Sequence, residues 1–148
     1  FVETFGRLYP ADDLAFYLSI AYPVDQQREQ LESGDYAAWL LEIDGEAAGF
    51  AFAGPCCLPH AEVRPEDGEL KRLYVLREYQ SGGWGSKLFA EAERWLLEGG
   101  PRTLWIGVWS ENLGAQRFYG RHGFAKVGEY EFPVGRVRDR EFILRRPA

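Results

Sequence analysis

The 148-residue chain has no methionine, only two histidines and only two cysteines. Cys56 and Cys57 are adjacent, a pattern that indicates neither a zinc site nor a disulfide framework, so we expect reduced thiols and no metal. No apolar run approaches the roughly 20 residues of a membrane span, and no secretory signal is visible. The sequence therefore predicts a cytoplasmic protein without a membrane partner. Because the first residue is Phe1, we expect the natural start to lie upstream.

Apolar residues make up 46% of the chain and aromatic residues 16%. That composition supplies one packed core for a chain of this length, so we predict a single domain over residues 1–148. The net charge of -6 argues against a nucleic-acid partner. A cationic small molecule is a better match to this charge.

Periodicity and glycine or proline positions divide the chain into alternating helices and strands. Helices are predicted over residues 10–22, 25–33, 84–98 and 112–122. Strands are predicted over residues 36–43, 46–53, 69–76, 103–109, 125–132 and 138–144, with hairpin turns at 44–45 and 133–135. This order predicts a mixed α/β (α+β) fold, in which helices cover both faces of one mixed sheet.

A glycine-rich stretch, Gln80-Ser81-Gly82-Gly83-Trp84-Gly85-Ser86, connects the third strand to the third helix. The free N–H groups at a helix N-terminus carry about half a positive charge and bind phosphate oxygens, and glycine lets the backbone approach closely. We therefore predict a pyrophosphate site at this helix start. The spacing matches neither the nucleoside triphosphate loop nor the dinucleotide fingerprint. A turn in which the glycines serve conformation alone is the alternative.

A second segment places small and polar side chains on one face of the fourth helix. Asn112, Ala115 and Tyr119 lie at positions i, i+3 and i+7, so they share that face. Phe118 points about 100° away and is expected to pack against the core. His60 and His122 show no arrangement that favours catalysis.

Three segments, in this order, resemble the GNAT superfamily of N-acetyltransferases. They are the strand 73–75, Gln80-x-x-Gly83-x-Gly85, and Asn112-x-x-Ala115-x-x-Phe118-Tyr119-x-x-x-Gly123-Phe124. The resemblance covers residues 69–124 and implies a twisted, mostly antiparallel mixed sheet with a V-shaped split between two central strands. It also implies acetyl-CoA as co-substrate and an N-terminal strand that this chain lacks.

The resemblance implies a role for each segment. Backbone groups of Leu73 and Val75 would pair with the pantetheine arm and hold the acetyl carbonyl, while loop amides would cradle the pyrophosphate. The implied cofactor contacts are Leu73, Tyr74, Val75, Gln80, Ser81, Gly82, Gly83, Trp84, Gly85, Ser86, Asn112, Ala115 and Tyr119. Many relatives carry arginine where this chain has Gln80 and Ser81, so phosphate binding would depend more on amides and the helix dipole.

Attack of an amine on a thioester requires a base, a stabilised oxyanion and a protonated leaving group. We predict Glu69 as the base, because period-two alternation places it on the same side of the sheet as Val75, six residues later. Glu111 is the reserve, and water alone is left open. Tyr119, a phenol with an ordinary pKa of about 10, is predicted to protonate the thiolate. The N–H of Val75 would stabilise the carbonyl oxygen.

A second, looser resemblance concerns the amine acceptor. Segments 103–112 and 123–132 are similar to polyamine acetyltransferases of the PaiA type, which implies an acceptor such as spermidine or spermine. Acetylation of a protein or peptide is the alternative, and a non-catalytic acetyl-CoA-binding module is the alternative of another class. A homodimer is left open. The acidic residues that we expect near the acceptor are Asp12, Asp13, Glu62, Glu66 and Asp67.

Overall fold

The computed structural model describes the whole chain except for the side chain of Thr4. Its helices are α1 (Val2–Phe5), α2 (Ala11–Ala21), α3 (Val24–Glu32), α4 (Trp84–Leu96) and α5 (Leu113–Arg121). Its strands are β1 (Ala37–Ile43), β2 (Glu46–Pro55), β3 (Gly68–Val75), β4 (Leu104–Trp109), β5 (Ala125–Val134) and β6 (Val137–Arg146). None of the helices described has both the length and the apolar character needed to span a bilayer.

The six strands form one sheet in the order β1-β2-β3-β4-β6-β5. Only the β3–β4 pair is parallel, and the other pairs are antiparallel. On one face, the apolar stripe of α4 packs on residues of β3 and β4. On the opposite face, the Tyr17 ring of α2 lies 5.6 Å from the Phe132 ring of β5. The predicted mixed sheet with helices on both faces is confirmed, whereas the single domain over residues 1–148 stays a prediction.

The two predicted hairpins differ in accuracy. In the first, Asp44 and Gly45 have φ values of 52° and 82°, which are the left-handed conformations of a two-residue turn. In the second, the turn lies at 135–136, not at 133–135, because β5 continues through Pro133 to the buried Val134. Since β5 is an edge strand, the missing N–H of proline costs no bond between strands.

A bulge in β3 changes which side of the sheet its residues face. Phe52 of β2 pairs with Arg72 and Ala53 pairs with Leu70, so Lys71 has no partner. After this extra residue the alternation shifts by one position. Leu70 and Val75 therefore both contact the core under α4.

The bulge overturns the argument that placed Glu69 on the side of Val75. Glu69 precedes Leu70 and faces the opposite side of the sheet, the side covered by α1 and α2. On that side the Arg72 guanidinium lies 4.4 Å from the Tyr22 ring centroid. The prediction was wrong because the pattern of one strand does not reveal a bulge that only pairing creates.

The central strands separate as the resemblance implied. β3 and β4 pair only at Gly68–Leu104 and Glu69–Trp105 and then diverge. Because Leu76 N–H donates to Ala48 O at 2.8 Å, alternate residues of β3 direct their backbone groups toward β2. The backbone groups of Leu73 and Val75 consequently point into the split.

Candidate active site

The split between β3 and β4 opens into a cavity of about 510 Å³ that reaches both faces of the sheet. The helix α5 forms one wall, and aromatic side chains of α1, α2 and β5 form the opposite wall. The cavity brings together eight of the predicted site residues, namely Glu69, Leu73, Tyr74, Val75, Gln80, Asn112, Ala115 and Tyr119. The remaining predicted contacts, residues 81–86, follow Gln80 along the chain but do not line the cavity itself.

The loop before α4 presents a row of unused backbone donors. In the described part of the chain, the N–H groups of Ser81 through Ser86 donate to no protein acceptor, and the first bond of the helix runs from Lys87 N–H to Gly83 O at 3.2 Å. Gly83, the N-cap, has φ +78° and no side chain caps the helix. Consecutive free amides at a helix start form an anion-binding concavity.

The three glycines of this loop serve different purposes. A Cβ at Gly82 would lie 2.9 Å from the Trp84 indole nitrogen, so glycine makes room for that ring. Gly83 adopts a left-handed φ. At Gly85, in contrast, a Cβ would meet no protein atom within 4 Å. The open space in front of Gly85 has no explanation in internal packing and leaves room for a phosphate close to the backbone.

Gln80 fixes the loop to the end of β3. Its side-chain amide donates a hydrogen bond to Val75 O at 2.9 Å. The Val75 carbonyl is thus occupied, while the Val75 N–H points into the split. The loop amides and the end of β3 are held in a fixed relation by this one side chain.

Helix α5 directs Tyr119 at the cavity. Asn112 caps the helix, because its Oδ1 accepts the Ala115 N–H at 3.1 Å. The Tyr119 side chain is 8% exposed, lines the cavity, and its hydroxyl has no hydrogen-bond partner among the described residues. Burial raises the pKa of Tyr119, so the phenol keeps its proton at neutral pH. Phe118 packs edge-on against Phe89 beside the core, as predicted.

Glu69 lies at the closed end of the split and is already engaged. It is 7% exposed. Its carboxylate accepts the Cys57 N–H at 3.0 Å and pairs with Lys71 Nζ at 2.9 Å. The Lys71 ammonium also lies 3.1 Å from the Cys57 sulfur, and both cysteines are free thiols. Burial raises the pKa of Cys56 to about 12, so that thiol is not a nucleophile at neutral pH.

Glu141 is a cavity residue that the sequence analysis missed. It lies on β6, opposite Trp109 of β4 and Tyr130 of β5. Its side chain lines the cavity and forms no ion pair or hydrogen bond within the described residues. Burial, and then the charge of Asp139, raise the pKa of Glu141 to about 7. The available signal was the alternation that places this glutamate on the same face of the strand as the apolar Ile143.

The five acidic candidates for the acceptor side lie elsewhere in the fold. None of the five lines the cavity among the described residues: Asp12, Asp13, Glu62, Glu66 and Asp67. Asp13 accepts the Arg136 N–H at 2.8 Å and holds the β5–β6 turn. Asp67 accepts the Trp105 indole N–H at 2.8 Å. The reserve base Glu111 is exposed and also lies outside the cavity lining. A role for these acids in acceptor binding stays a prediction, and the lining of the cavity gives it no support.

No group of three or more histidine, cysteine, aspartate or glutamate side chains suited to a metal occurs among the described residues. The arrangement of the cavity is instead that of a passage through a sheet. Free amides and a buried phenol lie on the α4 and α5 side, and carboxylates among aromatic rings lie on the α1 and α2 side. Such a passage can hold a phosphate-bearing donor from one face and receive a nucleophile from the other.

Several known proteins are similar to this chain in sequence. The model of the acetyltransferase (GNAT) family matches residues 5–124. An uncharacterized N-acetyltransferase of Lactobacillus delbrueckii subsp. lactis is 30% identical over 146 residues, which cover 99% of this chain and 84% of that protein. An uncharacterized N-acetyltransferase of Mycobacterium tuberculosis is 31% identical over 101 residues. That match covers 68% of this chain and 60% of the mycobacterial protein.

Solved structures share the fold at lower sequence identity. One is a PaiA N-acetyltransferase from Thermoplasma acidophilum in complex with coenzyme A, with a TM-score of 0.74 and 19% sequence identity. The match covers 99% of this chain and 85% of the Thermoplasma chain. Another is a ribosomal-protein-alanine N-acetyltransferase from Brucella melitensis, with a TM-score of 0.68 and 24% sequence identity. That match covers 84% of this chain and 76% of the Brucella chain. At these identities the likeness establishes the fold.

Proposed function

We propose, from the premise that the chain belongs to the acetyltransferase (GNAT) family and is an acetyl-CoA-dependent N-acetyltransferase, that it acetylates a small primary amine of the polyamine class. One observation carries the proposal. The cavity in the β3–β4 split connects free loop amides and a protonated phenol on one side with carboxylates and aromatic rings on the other.

The residues of the chain fit the donor. The unused N–H groups from Ser81 to Ser86 and the open space at Gly85 suit the diphosphate of coenzyme A. The backbone groups of Leu73 and the Val75 N–H are unpaired with β4 and suit an amide-bearing arm laid along the strand. When bound, acetyl-CoA supplies the acetyl group as a thioester.

The chemistry of transfer assigns work to two groups of the chain. The Val75 N–H points into the split and is placed to donate to a carbonyl oxygen that gains negative charge, a contribution often worth a few kcal/mol. Tyr119 holds its proton at neutral pH and is placed to give it to a departing sulfur. An alkyl ammonium with a pKa near 10.4 must also lose a proton before it attacks, so a base is required.

The acceptor side of the cavity suits an alkylammonium ion. Its walls include the rings of Phe5, Tyr17, Trp109 and Tyr130, and aromatic faces attract cations. The carboxylate of Glu141 stands among them without a cationic partner in the described residues. The net charge of -6 attracts a polycation at long range. The resemblance of segments 103–112 and 123–132 to PaiA-type polyamine acetyltransferases supports the same class.

The test is a coenzyme A release assay with acetyl-CoA and a panel of acceptors. Spermidine and spermine are compared with a short alanine-terminated peptide and a lysine-containing peptide, and acetylated products are identified by mass spectrometry. We expect turnover with the polyamines and little with the peptides. Preferential acetylation of a peptide would overturn the polyamine assignment. Tight binding of acetyl-CoA without turnover of any acceptor would support a non-catalytic binding module instead.

A matched variant separates catalysis from binding. Tyr119→Phe removes only the hydroxyl, and we expect kcat to fall by about 100-fold, the usual loss for a general acid. The Kd for coenzyme A, measured by calorimetry, should stay near the wild-type value because the ring remains. A variant with unchanged kcat would show that Tyr119 serves packing alone.

A further inference from the structure

Two glutamates line the same cavity, and one of them, Glu141, has no hydrogen-bond or ion-pair partner among the described residues. We infer that Glu141, and not Glu69, is the general base that takes the proton from the acceptor ammonium. This inference rests on the proposed function and adds a catalytic residue to it. Three features of the structure carry the choice: the level of each carboxylate along the split, its partners, and its surroundings.

The two carboxylates stand at opposite ends of the split. Glu69 is level with Trp105, the last position at which β3 and β4 still pair. Glu141 is level with Trp109, four residues farther along β4, which is about 13 Å at the usual rise per strand residue. Because β3 and β4 are parallel, the Trp109 level is also the end of β3 that carries Val75. Glu141 thus stands at the wide end, where an amine can reach a thioester.

The two carboxylates also differ in their hydrogen-bond and ion-pair partners. One oxygen of Glu69, Oε2, accepts the Cys57 N–H at 3.0 Å and the Lys71 ammonium at 2.9 Å. The negative charge of Glu69 therefore already has a cationic partner within the protein. Glu141 forms no such bond within the described residues, so its lone pairs are directed into the cavity.

The surroundings of Glu141 favour a base of moderate strength. The charged and titratable side chains that line the cavity with Glu141 are Tyr17, Tyr22, Cys57, Glu69, Lys71, Arg72, Tyr74, Tyr119 and Tyr130. Asp139 on its own strand and Tyr9, whose hydroxyl donates to Asp139, lie close enough to interact with its charge. Lys71 is paired with Glu69, and Arg72 lies over the Tyr22 ring. Burial, with the charge of Asp139, raises the pKa of Glu141 to about 7, a value suited to proton transfer at neutral pH.

Acetyl transfer removes two protons from the acceptor nitrogen. The acceptor ammonium gives one proton to the Glu141 carboxylate, which later releases it to water. The nitrogen lone pair then forms a bond to the carbonyl carbon of the thioester as the carbon–sulfur bond breaks. The sulfur leaves with the electron pair of that bond and takes the Tyr119 proton, and the second proton lost from nitrogen restores the phenol. The products are the acetamide, coenzyme A and one proton.

The test compares Glu141→Gln with Glu69→Gln through the pH dependence of kcat/KM for spermidine. In the wild type we expect kcat/KM to rise with pH and to level off above about pH 7, the pKa of Glu141. Glu141→Gln should lose about 100-fold at pH 7. Its rate should then rise about tenfold per pH unit up to the amine pKa near 10.4, because only the amine that is already neutral reacts. Glu69→Gln should keep the position of the wild-type plateau on the pH axis, whatever its effect on the rate.

A binding constant, an NMR titration and a conservative variant test the same role of Glu141. The Kd for coenzyme A should be unchanged in Glu141→Gln, and ¹³C NMR of the glutamate carboxyls without any cofactor should show one titration near pH 7 that this variant loses. Glu141→Asp should retain the step in the pH profile at a lower rate. If Glu141→Gln keeps the wild-type plateau, or Glu69→Gln abolishes it, Glu141 is not the base. If the wild type acetylates no amine at all, the proposed function itself fails.

Discussion

Replacing Glu141 by glutamine is expected to make the protein more stable as well as less active, by an amount that depends on pH. The cavity holds this carboxyl with little solvent and no cationic partner within the described residues, so ionisation is disfavoured. Its pKa rises from 4.5 to about 7 in the fold. That difference corresponds to up to about 3 kcal/mol between the two protonation states.

The sign follows from proton binding. Between pH 4.5 and 7 the folded state holds the Glu141 proton more tightly than the unfolded state does, so stability falls as pH rises through this window. The wild type has the full contribution below pH 4.5 and has lost it above pH 7. Glutamine stays neutral throughout. The free energies of unfolding of variant and wild type should therefore be similar near pH 4.5 and differ by up to about 3 kcal/mol at pH 8.

Urea unfolding followed by tryptophan fluorescence at pH 5, 6.5 and 8 measures this difference. Other titrating groups affect both proteins and cancel in the comparison. Glu131→Gln is the matched control, because it removes an exposed carboxylate from the neighbouring strand and should change stability little at any of these pH values. A difference between Glu141→Gln and wild type that does not grow from pH 5 to pH 8 would refute the reasoning. A confirmed increase would identify Glu141 as a group kept at a cost to stability, as is common for active-site residues.

Three other substitutions test the site and its support. Gly85→Ala should raise the free energy of unfolding by up to about 1 kcal/mol, because alanine is the better helix residue and a Cβ there meets no protein atom within 4 Å. The same variant should weaken coenzyme A binding about tenfold, or about 1.4 kcal/mol. An unchanged Kd would mean that no phosphate approaches this backbone. Asn112→Ala removes the cap on Ala115 N–H and should cost about 1 kcal/mol in urea unfolding, and a neutral result would discount the cap. Phe89→Ala, at a side chain only 2% exposed, should cost about 3–5 kcal/mol in the same assay, and a loss below 1 kcal/mol would contradict its place in the core.

Features that depend on neighbouring residues were predictable. Apart from the short helix α1, which no pattern predicted, the helix and strand order agrees with the structure. The turn at Asp44-Gly45 and the start of α4 at Trp84 agree as well, because each follows from local periodicity and turn chemistry. The same holds for the face that Ala115 and Tyr119 share, since helical spacing alone places them there.

Features that depend on pairing between distant segments were decided only by the tertiary structure. The bulge at Lys71 arises where β3 meets β2, and it moves Glu69 to the face opposite Val75. The bond from Lys71 to Glu69 and the burial of Glu141 beneath α1 and α2 follow from the same assembly. The sequence by itself determined the side of the passage that carries the free loop amides and Tyr119, since one loop and one helix build most of it. The choice of base needed the fold, because a carboxylate's basicity is set by partners and solvent that chain order does not record.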